Sequence, residues 1–149
     1  MADMEPHQWL SDATRRNFGK HREVEVVEAH GRREAAEILA AHAQHLVALE
    51  VTALLKDRSS SIAALAEHLG EKPDTLHRKF RGEQRASLAE MIEWLSAMHA
   101  LRRFERIWDA VARGHLPKVV TGSQECWNYL EEATTLRARP VPPVRRRTH

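Results

Sequence analysis

Apolar residues recur every three or four positions between Arg32 and Asp57, and this period predicts one long helix. The segment is also rich in Ala, Leu and Glu, which are strong helix formers. We therefore expect an amphipathic helix that ends before the serine-rich residues 58–61. Its predicted apolar stripe consists of Leu39, Ala43, Val47, Val51 and Leu54.

Two short apolar segments follow, separated by residues that favour helix ends. Ser61 can cap a helix over Ile62–Leu69, and Gly70 suits the left-handed conformation after its last turn. Pro73 fits the first turn of a second helix, which we expect to end at Arg81. Two short helices joined by such a turn have the spacing of a helix-turn-helix unit, here over residues 61–82.

A third apolar stripe runs from Leu88 to Val111 and begins at a capping box formed by Ser87 and Glu90. It is compatible with one helix of about seven turns or with two helices that are broken near residues 96–99. The stripe could form the seam of a dimer. Equally, it could fold back on the N-terminal helix and on a helix around Trp127 to enlarge a single core.

The flanking segments divide the chain into four parts. Residues 1–31 are polar and predict a partly ordered N-terminal arm, and residues 32–114 form the helical core. A loop and a C-terminal helix are expected over residues 115–136, and the Pro- and Arg-rich tail 137–149 is expected to be disordered. The predicted fold is therefore all-α, a helix-turn-helix bundle with N- and C-terminal helical extensions.

The composition is typical of a soluble globular protein with one core of ordinary size: 149 residues, 42% hydrophobic and 30% charged. The longest apolar runs are short and interrupted by charge, so we expect no membrane-spanning segment. The N-terminus lacks the basic and apolar regions of a secretory signal. Cys126 is the only cysteine, so no internal disulfide exists, which fits a reducing, cytoplasmic location.

Charge is unevenly distributed along the chain, although the net charge is only +2. Residues 1–55 hold six basic and nine acidic residues, whereas the rest of the chain holds 17 basic and 12 acidic ones. A basic second half favours contact with a polyanion. The second short helix and its flanks contain the bases Lys72, Arg78, Lys79, Arg81 and Arg85 and the acids Asp74 and Glu83.

No recognisable motif for catalysis or for a bound metal is present. The sequence lacks a Ser-His-Asp set, a glycine-rich phosphate loop and a paired-carboxylate pattern. His42 and His45 are three positions apart, but nothing nearby completes the three or four ligands that zinc needs. Cys126 lies at a predicted helix start beside Trp127, which indicates a packing role. We therefore expect no enzymatic activity, no cofactor and no metal.

The order of residues over roughly 43–99 resembles the phage-repressor-like helix-turn-helix family, also called the Cro or XRE type. The resemblance implies a lambda-repressor-like bundle of four or five helices, in which the helix Pro73–Arg81 enters the major groove of double-stranded DNA. The matching residues are Leu65-Ala66, Leu69-Gly70, Thr75-Leu76, Arg78, Phe80, Gly82 and Ser87-Leu88, followed by Ile92 and Leu95.

The resemblance also implies roles for individual residues. An arginine such as Arg78 can bind guanine O6 and N7 with two hydrogen bonds. The family contains bacterial and phage transcriptional regulators, which usually act as homodimers on two half-sites. The expected base-reading residues are Pro73, Asp74, His77, Arg78 and Arg81, and the expected phosphate contacts are Lys72, Lys79 and Arg85.

An alternative function is a protein-interaction adaptor that keeps the helix-turn-helix scaffold without reading DNA. Ile62 and Lys72 occupy positions where the family usually has a phosphate-binding Gln and a capping Ser. Asp74 also brings a carboxylate close to the expected DNA backbone. An adaptor would bind its protein partner through the 88–111 segment, including Trp108.

Overall fold

Helices make up the regular structure of this protein, for which a computed structural model describes residues 4–9, 18–21 and 26–114. Over these residues the fold is all-α, as predicted, and contains no strand. The expected loop and helix over 115–136, the tail 137–149 and Cys126 lie outside the described residues. The elements are a short 3-10 helix, Pro6–Trp9, and the helices α1 Arg32–Asp57, α2 Ile62–Leu69, α3 Pro73–Phe80, α4 Leu88–Ala97 and α5 Arg103–Gly114.

The helix ends follow from the capping residues in the sequence. Oγ of Ser61 accepts a hydrogen bond of 3.1 Å from the Ala64 amide at the start of α2. Gly70 ends the same helix in the left-handed conformation, with φ of 72°. At α4, Ser87 and Glu90 make both hydrogen bonds of a capping box. These contacts confirm the predicted ends.

The long helix α1 is the central element of the fold. It contacts α3, α4, α5 and the 3-10 helix, so it is covered on several sides rather than along one stripe. Leu39 and Leu54, which we placed in a single apolar stripe, are only half-buried. The residues that α1 buries are Ala35, Ile38, Ala41, His42, Ala43, Gln44, His45, Val47, Ala48, Val51 and Leu55.

By length and composition alone, α1 is also apolar enough to cross a membrane. The expectation that no segment qualifies was therefore too strict, because it considered uninterrupted apolar runs rather than a whole helix. In the structure, 61% of its most apolar window is buried inside the protein. The core helix of a soluble protein has the same properties, so this helix alone is weak support for a membrane location.

The apolar stripe between Leu88 and Val111 forms two helices that fold back on α1. Met98 ends α4, and His99 adopts a φ of 53°, which turns the chain towards α5. Most of the stripe then contributes to the core that α1 shares with α2, α3 and α4. Three members of the stripe are instead exposed: one is the first residue of α4, and two follow the break between the helices. These are Leu88, Leu101 and Trp108.

The described parts of the N-terminal arm pack against α1 and against the chain just after α3. The His7 amide donates a hydrogen bond of 3.0 Å to the Gly82 carbonyl. The Gly19 amide donates one of 2.7 Å to Nδ1 of His45 on α1. A Cβ at Gly82 would lie 2.7 Å from the ring of Phe18, so the close approach requires glycine there.

Gln44 connects α1 to the end of α3 and to the following loop. Its side-chain amide donates hydrogen bonds to the carbonyls of Lys79, at 2.8 Å, and Gln84, at 2.9 Å. Its Oε1 accepts a hydrogen bond of 2.9 Å from the Ala86 amide. One buried side chain therefore binds one backbone group in the last turn of α3 and two in the loop that follows it.

We predict that Gln44→Leu destabilises the protein although the two side chains are similar in size. The substitution leaves the Gln84 carbonyl and the Ala86 amide without their partner, while the Lys79 carbonyl keeps its hydrogen bond from the Gly82 amide. An unpaired buried group costs about 1–3 kcal/mol. Urea denaturation should show a lower midpoint and a loss of at least that size in the free energy of unfolding. Gln84→Leu is the matched control. Because the Gln84 side chain is exposed, that change should stay within about 0.5 kcal/mol. Equal effects of the two variants would contradict this role of Gln44.

Candidate nucleic-acid interface

A turn of three residues joins α2 to α3, and the two helices pack against each other. The Glu71 amide donates a hydrogen bond of 2.9 Å to the Ala66 carbonyl and thereby closes the end of α2. Lys72 occupies the N-cap position of α3 without making a side-chain capping bond. Pro73 then stands at the start of α3, where its missing amide hydrogen has no cost.

The inner face of α3 is anchored in the core. Leu76 and Phe80, which we expected to face inward, are both buried. The rings of Phe80 and Trp94 on α4 are 4.8 Å apart between centroids. Because this face is held by apolar contacts and by Gln44, the opposite face of α3 has a fixed direction.

Lys79 extends from the inner face of α3 to two carboxylates. Its Nζ lies 2.9 Å from Oε1 of Glu71 in the turn and also contacts Oε2 of Glu90 on α4. Burial alone would lower the pKa of Lys79, but hydrogen bonds to Glu90 and Glu71 outweigh burial and raise the pKa. Burial would raise the pKa of Glu90, yet its hydrogen bonds with Lys79 and Ser87 leave the pKa lowered. Lys79 and Glu90 are therefore both charged at neutral pH.

The expectation that Lys79 contacts a DNA phosphate needs correction. Its side chain is buried, with the residue only 7% exposed, and its charge is already balanced by two carboxylates. The helical spacing contained the relevant signal, since Lys79 lies three positions after Leu76 and beside Phe80 on the core-facing side. Counting charges along the sequence did not reveal the two partners.

The outer face of α3 carries most of the residues that we expected to read bases. Asp74, Arg78 and Arg81 are exposed and project from the same side of the helix by its 3.6-residue period. Pro73 is exposed at the first turn, whereas His77 is half-buried at the edge of this face. Arg78 forms no ion pair with any carboxylate in the described parts of the chain.

The other predicted phosphate contacts differ in how their charges are balanced. Lys72 is exposed and has no carboxylate partner among the residues that the structure describes. Arg85 forms an ion pair with Glu37 on α1, with 2.7 Å between Nη2 of Arg85 and Oε2 of Glu37. Nε of Arg81 lies 3.6 Å from Oε1 of Glu83. Both arginine side chains are about half exposed, so each ion pair contributes only about 0–1 kcal/mol.

Three residues that hold this arrangement were missed at the level of sequence: Gln44, Glu71 and Glu90. Glu90 was recognised only as part of a capping box, although its second oxygen contacts Lys79. Gln44 gave one signal, because a polar residue interrupts the apolar pattern of α1. Its partners are 35 to 42 positions away, so no local pattern could have identified them.

The histidines considered as metal ligands belong to the packed interior. His42 and His45 are buried on α1, and their rings stack with centroids 5.9 Å apart. The His45 ring also makes an edge contact with Phe18 at 5.4 Å. Within the described residues, no group of three or more His, Cys, Asp or Glu side chains could hold a metal ion.

We predict that Lys79→Met destabilises the fold even though most of the apolar stem is retained. Glu71 and Glu90 would lose their shared cation, at a cost of about 1–3 kcal/mol in the free energy of unfolding. Urea denaturation at pH 7 measures this loss. Lys72→Met removes an exposed lysine from the same turn and should change the free energy by less than about 0.5 kcal/mol.

The pH dependence of stability tests the same ion pair. Because folding lowers the pKa of Glu90, its contribution is complete above pH 4.5 and is lost as the pH falls through the lowered value. Folding raises the pKa of Lys79, so its contribution is complete below pH 10.5 and is lost as the pH rises through the raised value. In Lys79→Met, the free energy of unfolding should therefore fall less steeply as the pH is lowered below 4.5. An unchanged acid side would contradict the pairing of Lys79 with Glu90.

Comparisons of this chain with protein-family models, with curated proteins and with solved structures found no match. The geometry of α2, the turn and α3 is thus the observation from which a function can be argued.

Proposed function

We propose that this protein is a sequence-specific DNA-binding protein in which α2, the turn and α3 act as a helix-turn-helix unit. In such a unit the second helix lies in the major groove, and its outer side chains contact base edges. The observation that carries the proposal is the outer face of α3. It presents Arg78 with no carboxylate partner among the described residues, while the inner face is fixed in the core.

The dimensions of the segment support this function. Two helices of eight residues each are joined by three residues, and the short α3 is exposed over its outer face. The major groove of B-DNA is about 12 Å wide, which admits an α-helix. Arg78 has the fork of donors that matches O6 and N7 of guanine, and Asp74, four positions earlier, can accept a hydrogen bond from cytosine N4.

Two kinds of basic residue would hold the DNA backbone. Lys72 is exposed at the turn and is available to a phosphate directly. Arg85 would exchange its contact with Glu37 for a phosphate, since an exposed ion pair is weak enough to be replaced. With Lys79 removed from the set, these phosphate contacts position α3 but do not specify sequence.

A transcriptional regulator acting as a cytoplasmic homodimer is the form of the protein that this proposal favours. A dimer would place two copies of α3 on half-sites about 34 Å apart, one turn of the duplex. Most of the 88–111 stripe packs inside the protomer. A dimer contact would therefore use exposed members outside the α4–α5 junction, such as Leu88 and Trp108.

We predict that Arg78→Ala weakens binding to a preferred duplex and relaxes specificity at one base position. The preferred duplex is first selected from a random-sequence pool with the wild-type protein. Fluorescence titration should then show a loss of about 1–3 kcal/mol, confined to that base position. Arg33→Ala, at an exposed arginine of α1, is the control and should bind like the wild type. Equal weakening on all sequences would show that Arg78 touches only the backbone.

We also predict that Lys72→Ala lowers the salt dependence of binding without changing the preferred sequence. Each phosphate contact contributes about −0.9 to the slope of log K against log salt. The variant should therefore bind with a slope shallower by about that amount. The measurement is a titration of the selected duplex at several salt concentrations. An unchanged slope would remove Lys72 from the interface.

A protein-interaction adaptor is the second candidate, and the exposure of two large apolar side chains favours it. Leu101, which lies just before α5, is 48% exposed, and Trp108, in the middle of α5, is 41% exposed. The balance of charge points the same way, because Lys79, Arg81 and Arg85 each lie near a carboxylate. No binding of random duplex at micromolar protein and low salt would exclude the DNA-binding function and leave the adaptor.

A further inference from the structure

The junction of α4 and α5 forms a cleft that the proposed DNA interface does not use. Its volume is about 490 Å³. Small-molecule sites usually measure about 300–1,000 Å³, so the cleft is large enough for a compact ligand. Three arginines, Arg102, Arg103 and Arg106, line it within five consecutive residues.

Only one of these arginines is balanced by a carboxylate in the described part of the chain. Arg103 contacts Glu50 on α1, which fixes one wall of the cleft and neutralises that charge. Arg102 and Arg106 are exposed and pair with no described carboxylate. Arg102 immediately precedes α5 and Arg106 lies in its first turn, and both line the same cleft. Two positive charges at the cleft therefore have no counter-charge within the described part of the chain.

The remaining lining combines hydrogen-bonding and apolar groups. Ser96 and His99 come from the end of α4, and the left-handed turn at His99 joins that end to the cleft. Ala100 is buried, and Leu101 offers an exposed apolar side chain. Polar groups that converge beside an apolar surface are typical of small-ligand sites.

We propose that this cleft binds a small organic anion with two negative charges, of the phosphate monoester class. A guanidinium group donates two parallel hydrogen bonds to phosphate oxygens, and two such groups match a dianion. Ser96 and His99 are placed to add further hydrogen-bond donors, while the organic part of the ligand rests on Leu101. The site is independent of α3, so it extends the proposed function without depending on it.

Phenyl phosphate is the probe for this site. Titration calorimetry at constant ionic strength should show saturable binding to one site per chain, and phenol should not bind. The double variant Arg102→Gln/Arg106→Gln should bind at least about tenfold more weakly, because a hydrogen bond to a charged group contributes more than about 1.4 kcal/mol. Arg33→Gln, an exposed arginine of α1, is the matched control and should retain the wild-type affinity.

A second measurement uses only the wild-type chain and so does not depend on the folding of a variant. Backbone amide shifts in an NMR titration should move mainly over residues 96–106. Unchanged affinity in the double variant, shifts centred on α3, or no saturable binding would each overturn the proposal. Arg78→Ala should retain phenyl phosphate binding while losing DNA affinity, so failure of this site and failure of the DNA interface are distinguishable.

Discussion

One buried positive charge fixes the direction in which α3 is presented. The ammonium group of Lys79 joins the turn before α3, through Glu71, to the first turn of α4, through Glu90. Glu90 is shared, because its other oxygen accepts the Ser87 amide hydrogen at the start of α4. The carboxylate of Glu90 therefore both caps α4 and helps to hold α3 in place. Together with the apolar contacts of Leu76 and Phe80 and the hydrogen bond of Gln44 to the Lys79 carbonyl, this positive charge holds α3 in place.

The parts of the fold that could be predicted are those encoded by neighbouring residues. The ends of α2 were predicted correctly because Ser61 and Gly70 act on adjacent backbone groups. The α4–α5 boundary stayed open between one helix and two. Nothing local forbids a continuous helix through His99, whereas the break lets α5 pack against α1. The exposure of Leu101 and Trp108 follows from that break, so it could not be predicted from the sequence either.

The candidate site shows the same division between local and distant information. Helical spacing placed Arg78 and Arg81 on the outer face of α3 correctly, since position along a helix determines direction. It was not predictable which basic side chains remain available to a phosphate, because the carboxylate partners of Lys79 and Arg85 come from other elements. The role of Gln44 was missed for the same reason. A property shared by residues far apart in the chain requires the folded structure.

The two glycines beside Phe18 and Phe80 show how closely the arm approaches the end of α3. A Cβ at Gly19 would lie 2.7 Å from the Phe80 carbonyl oxygen, and one at Gly82 would meet the Phe18 ring. Such contacts leave no space between the two pieces of chain. The segment over residues 43–99 is consequently not a self-sufficient module that could be excised or transplanted. A fragment meant to reproduce the geometry of α3 has to extend upstream far enough to include Phe18, and grafting α3 into another protein would require a substitute for that aromatic ring.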